Sequence, residues 1–228
     1  MMMRARFRVG FSIAGAVVLL ALAGCQGTLG GKSSGKKVKL WNGQDFTGWQ
    51  RVVSDPAADV NDIWRVEKGV IHCTGQVNGY LRTEQTYRDY QLHVEWRWPD
   101  TPTNSGVLLH ANKPDQVWPS CIECQLMAGN AGDFVLMNGT GLAVDGVDRQ
   151  NSARQFVVIV KKSPTSEKPA GQWNSYDIHC AGDTVRCYVN GTLQNEGTGA
   201  IPTFGYIGLQ SEGGPIEFRN IYLSPLNP

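Results

Sequence analysis

The chain has 228 residues, 41% hydrophobic and 9% aromatic, with 21 Lys+Arg against 20 Asp+Glu and 27 Gly beside 11 Pro. That apolar and aromatic content excludes a disordered chain, and a formal net charge of +1 leaves no basic footprint for nucleic acid. Gly and Pro without a three-residue period punctuate turns rather than build collagen, so an all-β domain is expected.

In chain order the first element is a leader. Arg4, Arg6 and Arg8 precede the apolar run 9–23, the pattern of a secretory signal, which ends in Leu22-Ala23-Gly24-Cys25. This ending resembles the bacterial lipobox, which implies removal of residues 1–24 and lipidation of Cys25; an ordinary signal cleaved nearby is the rival. The expectation is an exported bacterial lipoprotein, lipid-anchored at the outer membrane or cell surface. Residues 26–37, QGTLGGKSSGKK, read as a flexible tether. Residues 38–228 then form one domain, expected as a monomer, and no later stretch approaches the roughly 18 apolar residues of a membrane span.

Past the tether, short β-branched and aromatic runs alternate with turn signals. Strands are predicted at 64–66, 70–73, 80–83, 90–98, 105–110, 121–127, 134–137, 155–160, 174–180, 184–190, 206–210 and 216–223. Asn190-Gly191 supplies a hairpin turn. No segment holds a helical period over three turns. A dozen strands are most economically packed as a jelly-roll sandwich of two antiparallel sheets.

Period two gives the faces. Leu92, Val94, Trp96 and Trp98 point to the core and His93, Glu95 and Arg97 away from it. In the strand from Cys121, Ile122, Cys124 and Leu126 point inward and Glu123 with Gln125 outward. A polar stripe bearing Glu95, Glu123 and Gln125 on one solvent-facing surface is expected, either an ordinary solvated face or a site. Five cysteines follow Cys25, an odd number. Cys180 and Cys187 flank the turn 181–184, so a cross-strand bridge or two buried thiols would fit. Cys121 and Cys124, on opposite faces of a strand, are weak signs of zinc or redox chemistry.

Several phrases are more particular: LWNGQDFTGW (40–49), GYLRT (79–83), NSGVLLH (104–110), VWPSCIECQL (117–126), EKPAGQWNSYDI (167–178) and GYIGLQSEGGPIEFRNIYLSPL (205–226). In this order they resemble the 3-keto-disaccharide hydrolase domain family, also described as a 3-keto-glucoside lyase and hydratase domain, over residues 40–226. The resemblance implies a concanavalin-A-like or laminin-G-like sandwich and cleavage of 3-keto-glycosides by β-elimination and hydration. Where the family commonly ends L-Q-x-H-G, this chain reads Leu209-Gln210-Ser211-Glu212-Gly213, and where the N-S-G strand often ends in Arg it has His110.

A 3-ketone acidifies the C2 proton, so the C1 substituent can leave without an oxocarbenium ion. The site then needs a base at C2–H, an electrophile at the ketone and an acid for the leaving oxygen. Glu123 is the candidate base and His110 the candidate acid or base, with Glu212 as a second carboxylate. A divalent metal ion held by Glu123 and His110 is a candidate electrophile. Gln125 and Gln210 would position hydroxyls. Arg97 would hold the ketone or pair with Glu95 or Glu123, and Trp118 and Tyr80 would stack on a pyranose or fill the core. Asp133 is a site residue or a turn former, Asp115 lies in a loop that could border the site, and Arg219 with Asn220 sit in the closing strand. Rival readings are a non-catalytic, carbohydrate-binding lectin and an adhesion module. A cleft uniting His110, Glu123 and Glu212 would favour the enzyme.

Overall fold

Twelve strands form where alternation places them, and five more join them in a computed structural model that describes residues 35–112, 116–150 and 156–226. The leader, Cys25, most of the tether and Asp115 lie outside the described residues. In chain order the strands are β1 (Val38–Lys39), β2 (Trp49–Val53), β3 (Trp64–Glu67), β4 (Val70–Cys73), β5 (Gly79–Thr83), β6 (Tyr90–Arg97), β7 (Gly106–Asn112), β8 (Ser120–Gln125) and β9 (Phe134–Met137). There follow β10 (Gly141–Val144), β11 (Val147–Asp148), β12 (Phe156–Ile159), β13 (Asn174–Ala181), β14 (Thr184–Val189), β15 (Thr192–Ile201), β16 (Tyr206–Ser211) and β17 (Ile216–Pro225). One helical turn, α1 (Val60–Ile63), is capped by Asp59, whose carboxylate accepts from the Asn61 N–H at 2.8 Å. Among the described residues no helix is long and apolar enough to cross a membrane.

Two antiparallel sheets result. Ten strands run β11-β10-β15-β14-β13-β6-β17-β4-β3 with β1 added to β17, and seven run β12-β9-β8-β7-β16-β5-β2. Their inner faces make one core. Leu92, Val94 and Trp96 of β6 and Tyr176, Ile178 and Cys180 of β13 belong to it, as do Val107 and Leu109 of β7, Ile122 and Cys124 of β8, and Ile207 and Leu209 of β16. Trp96 and Trp98 meet edge to face with centroids 5.8 Å apart. Each large apolar side chain withdrawn from water in this way is worth about 1.5–3 kcal/mol.

The hairpin turn between β14 and β15 forms at Asn190 (φ 49°) and Gly191 (φ 79°), both left-handed as its type demands. No Cys180–Cys187 bridge forms. The register sets Cys180 opposite Val185 and Cys187 opposite Ile178, and both thiols are free and buried. Burial pushes the Cys180 thiol up to about 12, so it is an inert packing group.

Candidate active site

The two polar strand faces lie on opposite exteriors of the sandwich. Alternation is right within each strand, but β6 belongs to the ten-stranded sheet and β8 to the seven-stranded one, so Glu95 and Arg97 are nowhere near Glu123. On their own face they are consumed by ion pairs. Arg97 Nε donates to Glu217 Oε2 at 2.5 Å, and Glu95 takes Arg219 Nε at 2.5 Å and Asn220 Nδ2 at 2.8 Å. Burial pushes the Glu95 carboxyl up, but Asn220, Arg219 and His93 outweigh it and hold it below the ordinary range. The guanidiniums of Arg97 and Arg219 pack over Trp173 at 4.6 and 4.0 Å. Arg219 and Asn220 thus tie down the closing strand, and neither Glu95 nor Arg97 lines the pocket that holds Glu123.

The outward face of β8 is not open to solvent. Glu123 is only 2% exposed, and a second apolar cluster of Tyr80, Leu108, Ala111, Cys121, Val135 and Met137 covers this exterior. Tyr80, opposite Gln210 across β5 and β16, is buried in that cluster and offers no stacking platform. Above the cluster lies a pocket of about 340 Å³ whose lining includes Asn78, Asn104, Trp118, Glu123, Gln125, Gln210 and Glu212. Five expected site residues, Glu123, Glu212, Gln125, Gln210 and Trp118, therefore meet here.

Glycine makes room for the central acid. Gly106 sits opposite Gln125 on β7, and the Glu123 carboxyl lies over it where any Cβ would collide. Burial pushes the Glu123 carboxyl well above the ordinary range, and the charge of Glu212 adds to the shift. Glu212, half-buried, is raised by burial as well. Glu123 Oε1, Gln210 Oε1 and Asn104 Oδ1 are buried without a hydrogen-bond partner. Gln125 differs, since its side-chain oxygen accepts from the Leu126 and Met127 N–H groups at 2.9 Å each. Its NH₂ takes no part in these two bonds.

The rim is tied by the backbone around it. Ser105 Oγ donates to the Gln210 carbonyl and Ser211 Oγ to the Val77 carbonyl, both at 2.8 Å, and Asn104 bridges to Glu212 and Gly213. Asn104 and Gly106 were not among the expected site residues, although both fall within the N-S-G phrase. Asp133 is not in the pocket lining, and its carboxylate accepts from the Lys161 N–H at 2.8 Å, tying two distant segments together.

His110 is absent from the pocket. A bulge between Leu109 and Asn112 breaks the alternation, His110 adopts φ 55°, and its ring turns to the inner side of the sheet. There it meets the core residue Tyr90 edge to face at 5.7 Å, with Nδ1 3.0 Å from the Pro202 carbonyl oxygen. Burial drops its pKa to about 4, so the ring is neutral. Glu123 and His110 lie on opposite faces of one sheet and cannot share a metal ion. Among the described residues no group of three or more His, Cys, Asp or Glu is placed to hold one.

A family model described as the 3-keto-alpha-glucoside-1,2-lyase-like domain matches residues 36–224. A search of curated proteins returns no match. Among solved structures, a candidate glycosyl hydrolase from Parabacteroides distasonis superposes with a TM-score of 0.63 at 22% identity, covering 88% of this chain and 98% of its own. The Bacillus licheniformis β-glucanase gives 0.56 at 14% identity, covering 85% and 100%. The Bacillus subtilis carbohydrate binding module CBM66 gives 0.54 at 11%, covering 76% and 93%. At these identities the likeness is one of fold, a fold that carries enzymes and binding modules alike.

Proposed function

The chain belongs to the 3-keto-alpha-glucoside-1,2-lyase-like domain family, a carbohydrate-active family, and from that premise we propose that it cleaves 3-keto-glucosides by β-elimination followed by hydration. The observation that carries the reading is the pair of unequal carboxyls, Glu123 buried and raised well above the ordinary range, Glu212 half in water, lining one pocket with Gln210 and Asn104, whose side-chain oxygens have no hydrogen-bond partner. Such oxygens need donors, and a sugar ring supplies them as hydroxyls.

The unequal environments divide the roles. Glu212, the more solvated group, is the base that takes the C2 proton. The electron pair left behind is shared with the C3 ketone as an enolate, whose oxygen receives the NH₂ of Gln125. The pair then returns to form C1=C2 as the C1–O bond breaks, and the Glu123 carboxyl hands its proton to the leaving oxygen. In the second half water adds its hydroxyl to C1 and its proton to the Glu123 carboxylate, while Glu212 gives its proton back to C2. The net change is hydrolysis, and both carboxyls end as they began. Gln210 and Asn104 accept from ring hydroxyls and fix the sugar over Glu123.

A lectin does not need a buried acid, whose desolvation costs stability. Turnover of a 3-keto-α-glucoside by Glu123→Gln tests the assignment. A loss of about 10²-fold or more with the fold retained supports it, and unchanged turnover removes Glu123 from the reaction. We also propose that the protein works from a membrane, held as a monomer by lipid on Cys25, because the leader ends in LAGC.

A further inference from the structure

The pocket changes chemistry along the strand order. On the side of β16 its lining is polar, with Gln210, Glu212 and Asn104, and β8 carries Glu123. Beyond β8 its lining turns apolar, with Val135 and Met137 from β9 and Phe156 and Val158 from β12, and Trp118 stands against Phe156. Register sets Val135 beside Glu123 and Val158 beside Val135, so one row runs from the acid to the sheet edge. Phe156 is 56% and Val158 55% exposed, and the Phe156 ring stands edge to face with Trp118, centroids 6.1 Å apart.

This gradient orients the substrate. The glycosidic oxygen must lie at Glu123, which protonates it, and the sugar hydroxyls must face the orphaned oxygens toward β16. What is attached to C1 is then directed across β9 and β12. On the reaction proposed above, we infer that the apolar wall is an aglycone subsite and that the substrates are 3-keto-glucosides of flat aromatic alcohols. β12 lies two strands from β8, on the order of 10 Å at the usual strand spacing, so a group of two fused rings spans from the acid to Phe156. A sugar in the same place would lose the hydrogen bonds of its hydroxyls to water and find no polar side chain among Val135, Met137, Phe156 and Val158. An aromatic ring loses nothing there and gains edge and face contacts with Phe156 and Trp118.

The test compares 2-naphthyl and methyl 3-keto-α-glucosides with the full protein and with Phe156→Ala and Val158→Asn. For the naphthyl substrate both variants are expected to raise KM by about 10-fold with kcat within about 2-fold, while both constants for the methyl substrate stay within about 2-fold. A parallel titration measures binding of the unoxidised 2-naphthyl and methyl α-glucosides, which needs no turnover. Naphthyl binding tighter by about 10-fold, with the preference lost in Phe156→Ala, supports the subsite. If that preference holds while no 3-keto-glucoside is cleaved, the aromatic subsite stands and the proposed reaction falls. Equal binding of the two glucosides by the unaltered protein overturns the inference, as do equal changes in KM for both substrates. So does a dimer in sedimentation that Phe156→Ala dissociates, because the wall would then be a contact between copies of the chain.

Discussion

Burial raises the Glu123 carboxyl well above the ordinary carboxylate range, and that has consequences for stability as well as for rate. A carboxyl whose pKa is raised on folding adds no cost below its unfolded value, near 4.5, where both states are protonated. As pH rises beyond that value the unfolded chain releases the proton first, so stability falls until the folded pKa is reached. Glu123→Gln removes this penalty. The variant is expected to melt higher than the parent at pH 7, by roughly 2–4 °C for each kcal/mol recovered, and at the same temperature near pH 4. Calorimetry at the two pH values checks both halves. The rate should depend on pH as a bell with both limbs above the ordinary carboxylate range, belonging to the pair rather than to either group. Gly106→Ala is the steric counterpart. Its Cβ needs the space of the Glu123 carboxyl, so turnover should fall by at least about 10-fold, a loss that steady-state kinetics reads directly. His110→Asn, which suits the left-handed φ, should leave turnover within about 2-fold, because the imidazole faces Tyr90 and not the pocket.

At the scale of the element, alternation made much of the fold legible. It places Leu92, Val94 and Trp96 in the core and sends Glu123 the other way, and the structure agrees. Parity cannot tell which sheet a strand joins. Glu95 and Glu123 share a parity and lie on opposite exteriors, and the difference is testable: Glu95→Gln should lower the melting temperature by loosening Arg219 and Asn220 while leaving turnover within about 2-fold. Nor does alternation foresee a bulge, which is why His110 is expected in the site and found in the core. β15 escapes notice because its run from Thr192 to Ile201 contains Gly197 and Gly199 and few apolar residues, with a bulge in its pairing to β14. β12 reads as a strand, but four apolar residues in succession do not say that Phe156 and Val158 turn to the pocket. Five of the site residues are legible through alternation and through family phrases. Their union in one cleft depends on β16 lying between β7 and β5, a long-range pairing that no local pattern encodes.

On the whole molecule the two exteriors do different work. The ten-stranded face neutralises itself with ion pairs such as Arg97–Glu217, Arg219–Glu95 and Arg186–Glu196, while the seven-stranded face is hollowed around a buried acid. If Cys25 carries lipid, Cys25→Ser should move the protein from the detergent phase to the aqueous phase without changing its melting temperature, since the sequence of residues 26–37 is rich in Gly, Ser and Lys, as a tether outside the domain would be. The reaction itself is tested most directly by offering the protein one glucoside in two oxidation states. Only the 3-ketone acidifies the C2 proton on which elimination depends, so release of the aglycone from a 3-keto-α-glucoside and none from the parent α-glucoside is the expected result. Equal release from both would contradict it and point to two carboxylates acting through an oxocarbenium ion.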